Sequence, residues 1–264
     1  MKKTTFPIAA LALGLALASN PVSAQIKLNT KTIGAAQKGF KAATFSDAEA
    51  AKLASQAVAW MDANNPVASA SDPYTKRLNK IFAKHKNEDG MQLNYKVYKV
   101  KDINAFACAD GSVRVFSSLM DIMSDDELLG IIGHEIGHVA NKDSRDAVRA
   151  AYKREALMDA ASSQSGVVNA LTESQVGKFA NALLDSKFSR KQESQADDYA
   201  YNFMKKYNYK VSALASAFQK FADMEKASGD KRTKTEKMMS SHPDSGDRSA
   251  KIMEKAKKDG LASL

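Results

Sequence analysis

Five consecutive residues, His134-Glu135-Ile136-Gly137-His138, set out the chemistry this sequence can perform. Residues four apart project from one face of a helix, so both imidazoles can meet a single metal ion. Glu135 then stands beside them as a general base for water. Two neutral imidazoles and a carboxylate, with one position left open, suit Zn2+, which brings the pKa of water toward about 7. The chain holds only four histidines. The alternative, two ordinary histidines on a helix, requires this spacing to arise by coincidence inside an unusually well-marked helix.

Two histidines leave zinc short of a ligand. After His138 the chain reads Val-Ala-Asn-Lys-Asp-Ser, which supplies no third histidine, so a carboxylate must come from another helix. The best candidate segment is Ser189 to Asp197, where Glu193 and Asp197 share a face one turn apart. One can ligate while the other sits behind a ligating histidine and accepts its remaining N–H. Spacing alone leaves Glu155, Glu173 and Asp185 open as ligands, and leaves Glu193 open as a surface partner of Arg190 or a lysine.

Several elements must hold these residues. Ser124 with Glu127 three positions on forms a capping box, and Asp125 and Asp126 suit the positive end of a helix. Leu128, Leu129, Ile131, Ile132, Ile136 and Val139 give that helix its apolar side. Upstream, the period is two: Leu93, Tyr95 and Val97 alternate with polar neighbours. Asp110-Gly111 between Asn104–Cys108 and Val113–Phe116 signals a hairpin. Ser46 with Glu49, and Asp72 before Pro73, open two earlier helices, in which Trp60 and Phe82 read as core. The stretch Ala156 to Gly177, rich in Ala, Ser and Gly, reads as a helical hairpin or a loop, placed to act as a lid. One long helix is expected from about Gln175 to Tyr207, and two more near Ser212 and Ser245. His85, amid lysines, reads as exposed. With no repeat and no Pro- or Gly-rich linker, the expectation is one α+β domain over 25–264, mainly helical, with a small antiparallel sheet before the active-site helix.

Residues 1–24 have the order of a secretory signal: Lys2 and Lys3, an apolar run from Phe6 to Ala18, then Val22-Ser23-Ala24. The mature chain is expected in the periplasm. No later stretch approaches the length of a membrane helix. The single cysteine, Cys108, excludes an intramolecular disulfide and lies far from any lipid-attachment point, so membrane association would be peripheral. Net charge is +9, or +7 without the signal, spread over helix-like segments such as Lys76–Lys86 and Lys251–Lys258. This pattern reads as solvated faces, with no nucleic acid as partner.

Taken together, His134–His138, Phe188–Asp197 and His242-Pro243 with Arg248 five residues after the proline resemble the HtpX and CAAX-prenyl-protease family of zinc peptidases, family M48. Among its branches the likeness is to the small envelope proteases of the LoiP type. Asn104-Ala105-Phe106-Ala107 and Asp110-Gly111 are similar to the family's strand before the active helix. The resemblance implies a zincin-like fold, Glu193 as third ligand, Asp197 behind it, and hydrolysis of peptide bonds in unfolded or misassembled proteins. It places His242 near the metal, either stabilising an oxyanion or occupying the open position at rest, against a bland reading as a turn histidine. Arg248 is implied to position that segment through a carboxylate. Asp143 stands where many relatives carry a histidine, and Gln195 where they often carry glutamate. An extended substrate is expected to add to the sheet edge through Asn104, Ala105, Phe106 and Ala107. The rival class is a zinc-containing chaperone or assembly factor that keeps the site closed.

Overall fold

The structure, a computed structural model, describes residues 46–161, 173–228, 238 and 241–262. The expected signal at 1–24 and half of the expected lid, residues 162–172, lie outside these residues. The element order is α1 (Asp47–Asn64), α2 (Pro73–Phe82), β1 (Asn87–Glu88), β2 (Met91–Gln92), β3 (Asn94–Tyr98), β4 (Ala105–Ala107), β5 (Ser112–Phe116), α3 (Ser117–Ile122), α4 (Asp125–Ala140), α5 (Asp143–Ala161), α6 (Glu173–Leu184), α7 (Arg190–Lys206), α8 (Ser212–Ser228) and α9 (Ser245–Lys258). Helices dominate and the sheets are small, an α+β arrangement. Among the described residues no helix is long and apolar enough to cross a membrane.

Local signals start the helices where they were expected. Ser46 with Glu49 and Ser124 with Glu127 both close reciprocal capping boxes, and the Asp72 side chain accepts from the Tyr74 N–H ahead of α2. Helix α4 is more than amphipathic. Every residue from Glu127 to His138 is buried, because α4 runs through the middle of the molecule, packed on α7, α8 and β4. Its polar motif is therefore surrounded by protein, which is where a hydrogen-bonded cluster is held most firmly.

The sheet departs from expectation. Strands run in the order β3-β5-β4, with β4 antiparallel to β5 but β3 parallel to it, so the sheet is mixed. Alternation marks a strand but not its partner. Here β5 inserts between β3 and β4, so two successive reversals leave β3 and β5 running the same way. The hairpin does form at Asp110-Gly111. Gly111 has φ +83°, and a Cβ there would meet the Gln92 carbonyl oxygen at 2.0 Å.

The expected helix from Gln175 to Tyr207 is two helices, α6 and α7. Ser189 opens α7 with its own capping box to Gln192, and Phe188 just before it leaves the helical path to stack on the His138 ring, centroids 3.9 Å apart. His85 is also not exposed. It is fully buried, hydrogen-bonded to Glu88 at 2.6 Å and to the Tyr209 hydroxyl at 2.7 Å, beneath aromatic rings that α7 and the following loop supply. Neighbouring lysines in sequence gave no sign of those rings.

Candidate active site

Four segments converge at one end of the cleft. Helix α4 brings His134, Glu135 and His138, α7 brings Glu193 and Asp197, the turn before α9 brings His242, and α9 brings Arg248. All of these side chains are buried. Ligand atoms of His134, His138, Glu193 and His242 lie within 4.8 Å of one another.

The two motif imidazoles are oriented from behind. His134 Nδ1 is 2.9 Å from Asp197 Oδ1, and His138 Nδ1 is 2.9 Å from Asp143 Oδ2. Carboxylates only accept, so each Nδ1 carries the proton and each Nε2 presents a lone pair inward. Arg248 Nη2 lies 3.1 Å from His134 Nδ1 but bonds Asp197 Oδ1 at 2.5 Å, so that carboxylate is the acceptor for both donors. The two Nε2 atoms end 3.1 Å apart, with Glu193 oxygens 3.5 and 3.6 Å from them. Acceptor nitrogens pressed together against a carboxylate are reconciled by a cation among them. The imidazole and carboxylate donor set fits a divalent metal ion of the borderline-soft kind.

The electrostatics agree with that use. Burial holds the His134 imidazole well below its ordinary pKa, with the Arg248 charge acting the same way, so it stays neutral and able to ligate. Burial alone would raise Glu193. The His242 hydrogen bond, the neighbouring imidazoles and Arg248 outweigh it and hold Glu193 down at about 2, as an anion. Glu135 goes the other way: burial and the Glu193 charge push it up to about 8, against opposing pulls from His138 and Arg248.

His242 belongs to the cluster. Its Nδ1 is 2.9 Å from Glu193 Oε1 and 3.2 Å from His134 Nε2, while its Nε2 is 3.5 Å from Glu135 Oε1. Arg248 sits over the Phe218 ring at 4.0 Å and reaches both Asp197, Nε to Oδ2 at 2.8 Å, and Glu193, Nη1 to Oε2 at 2.8 Å. It thus braces the two carboxylates that α7 brings to the cluster.

In front of Glu135 and His242 a cleft opens, with β4 as one wall. Its apolar lining beyond β4 comes from Met61 of α1, Val148 of α5, Leu183 and Leu184 of α6, and Phe188. Strand β4 is an edge strand. Asn104 and Cys108 exchange their backbone bonds with β5, so alternation turns the N–H and C=O of Ala105 and Ala107 toward the cleft. There the Ala107 carbonyl accepts from Ser144 Oγ at 3.0 Å. The side chains of Asn104, Ala105 and Ala107 are buried and that of Phe106 half-buried, so what this strand offers the cleft is mainly backbone.

Residues 71–256 match the model of Peptidase family M48. The chain belongs to that family. It is 42% identical over 224 residues to Metalloprotease YcaL of Escherichia coli (strain K12), covering 84% of this chain and 86% of the relative. It is 36% identical over 255 residues to Metalloprotease LoiP of the same organism, covering 96% and 99%. Protease HtpX of Shewanella baltica (strain OS185) is 30% identical over 151 residues, covering 53% of this chain and 51% of the relative. As an M48 member the chain is a peptidase, a hydrolase of peptide bonds. The matched segment spans both helices of the His/Glu cluster and the turn carrying His242, and it begins after α1.

The structure brings together the groups that the sequence motifs single out on α4 and α7, but the parts played by three neighbours are not written in those motifs. Asp143 stands out in the sequence only as a departure from relatives, although it is the first carboxylate after His138. Gln192 is visible only as the residue three after Ser189. Phe188 opens the motif that ends at Asp197, yet neither its stacking on His138 nor the cleft wall from α1 and α6 leaves a local mark, since both exist only once α6 and α7 separate.

Proposed function

We propose that this M48 peptidase is a zinc-dependent endopeptidase that cuts extended segments of unfolded or misassembled proteins in the bacterial envelope. The observation that carries the reading is the pair of Nε2 atoms 3.1 Å apart, each ring tied from behind to a carboxylate, with Glu193 alongside. His134, His138 and Glu193 are the groups to hold zinc, with Asp197 and Arg248 keeping His134 and Glu193 in place. When bound, zinc supplies a Lewis acid that polarises a carbonyl and makes water acidic.

The chain's own residues do the rest. An extended peptide pairs with the outward backbone of Ala105 and Ala107 within Asn104–Ala107, so its recognition rests on main-chain hydrogen bonds that a folded protein does not offer. Glu135 takes the proton from the attacking water and delivers it to the leaving amine, and the carboxyl product keeps the water oxygen. His242, whose Nε2 lies 3.5 Å from Glu135 Oε1 and whose Nδ1–H faces Glu193, turns that N–H to the oxyanion that develops on the carbonyl oxygen. Export to the periplasm is supported by the signal-like residues 1–24, and N-terminal sequencing of the mature protein from cell fractions would test it.

The experiment is zinc content together with cleavage of an unfolded model protein, for the parent and for Glu135→Gln. The parent should hold about one zinc and cleave, while the variant holds zinc and does not. A second reading is favoured by one observation: His242 Nδ1 lies within the ligand cluster itself, 3.2 Å from His134 Nε2. In that reading the site rests closed and the protein acts as a latent peptidase or a chaperone. Zinc in both proteins with cleavage by neither, and cleavage gained by His242→Ala, would favour it.

A further inference from the structure

The Asp143 carboxylate has two oxygens and a different partner on each. Oδ2 is 2.9 Å from His138 Nδ1, and Oδ1 is 2.9 Å from Gln192 Nε2. Gln192 is the capping-box partner of Ser189, and its Oε1 lies 2.9 Å from both the Ser189 N–H and the Ser189 hydroxyl. A backbone N–H can only donate, so Oε1 must face Ser189 and the amide nitrogen must face Asp143. Every hydrogen bond in the series Ser189, Gln192, Asp143, His138 therefore has a fixed direction. The series starts at the residue that caps α7 and ends on the imidazole of α4, and Glu193 is the residue next to Gln192.

The backbone is bent to make this possible. Between α4 and α5 Lys142 takes φ +67°, a left-handed conformation that residues with a side chain rarely adopt. That bend returns Asp143, five residues beyond His138, to the Nδ1 edge of the ring. Phe188 stacked on the His138 ring fixes the ring plane.

We propose that Asp143 is a positioning residue for the metal centre, and that Gln192 locks it, so that the ligand His138 on α4 and the ligand Glu193 on α7 are set by one hydrogen-bond series. The proposal rests on the metal-centre reading above. It explains why position 192 is glutamine: glutamate would close the same capping box but set a second carboxylate against Asp143.

This difference supplies the test. Zinc affinity is measured by competition with a chromophoric chelator on metal-free protein, with thermal melts of each metal-free variant as the folding control. Gln192→Glu keeps the cap, so a purely structural role predicts parental affinity, whereas the proposal predicts a loss of roughly tenfold to a hundredfold. Adding Asp143→Asn to Gln192→Glu reverses the polarity: the asparagine amide donates to the new carboxylate at position 192 and its oxygen accepts from His138, so affinity should recover by several fold over the single variant. Asp143→Ala should match the loss of Gln192→Glu. Parental affinity in Gln192→Glu, or no recovery in the double variant, overturns the inference. A parent that binds no zinc overturns the metal-centre reading instead.

Discussion

Glu135 and Glu193 are buried within the same cluster, yet their surroundings drive them apart: burial raises Glu135 to about 8, while His242, the imidazoles and Arg248 bring Glu193 to about 2. Two carboxylates with separated proton affinities suit two tasks, one a permanent anion and the other a group that gives and takes a proton. The consequence for stability can be measured on metal-free protein. In the unfolded chain Glu135 gives up its proton near its ordinary 4.5, whereas the folded chain keeps it until about 8. Folding therefore loses stability as pH rises through that window. Glu135→Gln has nothing to ionise, so its stability relative to the parent should grow by on the order of a few kcal/mol between pH 5 and pH 8. Urea unfolding of both proteins in chelator reads this directly, and an equal difference at the two pH values would sink the assignment.

Elements hold the site by close approach and by clamps. At Gly137 an added Cβ would lie 3.0 Å from the Ala196 carbonyl oxygen and 3.1 Å from its Cα, both backbone atoms of α7 that cannot swing aside. Gly137→Ala should push α7, and Glu193 with it, off the histidines. The expected result is a loss of about 1–3 kcal/mol of stability by overpacking, with weaker zinc binding in the same competition assay. At the other side of the cleft, Asp62 ties α1 to the sheet. Its Oδ1 accepts from the Tyr98 hydroxyl at 2.7 Å and from Arg114 Nε at 2.8 Å, and its Oδ2 accepts from Lys96 at 2.8 Å. Burial opposes these partners but they win, holding Asp62 at about 2. Asp62→Ala leaves the buried Arg114 guanidinium without its carboxylate and should cost about 2–4 kcal/mol in urea unfolding. Because the Asp62 pKa is depressed from its ordinary 3.8, the parent's advantage should be full above that value and fade as pH falls through about 2.

Across the whole molecule, the cluster draws on α4, α7 and the turn before α9, while α1, α5 and α6 with the sheet build a second apolar core beside it. A cation that binds only when these segments are assembled stabilises the assembled state by mass action, about 4 kcal/mol at a thousandfold excess over its Kd. Calorimetry should show a melting temperature that falls on chelation and returns with zinc, and a smaller fall for Glu193→Gln, which lacks the proposed third ligand. An identical response in parent and Glu193→Gln would remove Glu193 from the ligand set. The buried His85–Glu88 pair belongs to the same scale, since it joins the β1–β2 hairpin to the end of α7 through Tyr207 and Tyr209.

What the sequence by itself determined was local. Capping boxes are written within four residues, the His134–His138 spacing is a property of one helix, and Asp110-Gly111 permits a turn whatever lies around it. Glu193 was legible as one of several carboxylates until the family resemblance singled it out. Contacts between elements that are distant in the chain were beyond such reading. Whether β3 runs with or against β5 depends on where β4 lies, whether His85 is buried depends on rings such as that of Tyr209, 124 residues away, and whether Asp143 touches His138 depends on the bend at Lys142. Tertiary structure decided these because each is the outcome of competition for space in the core, and no window of sequence contains both competitors.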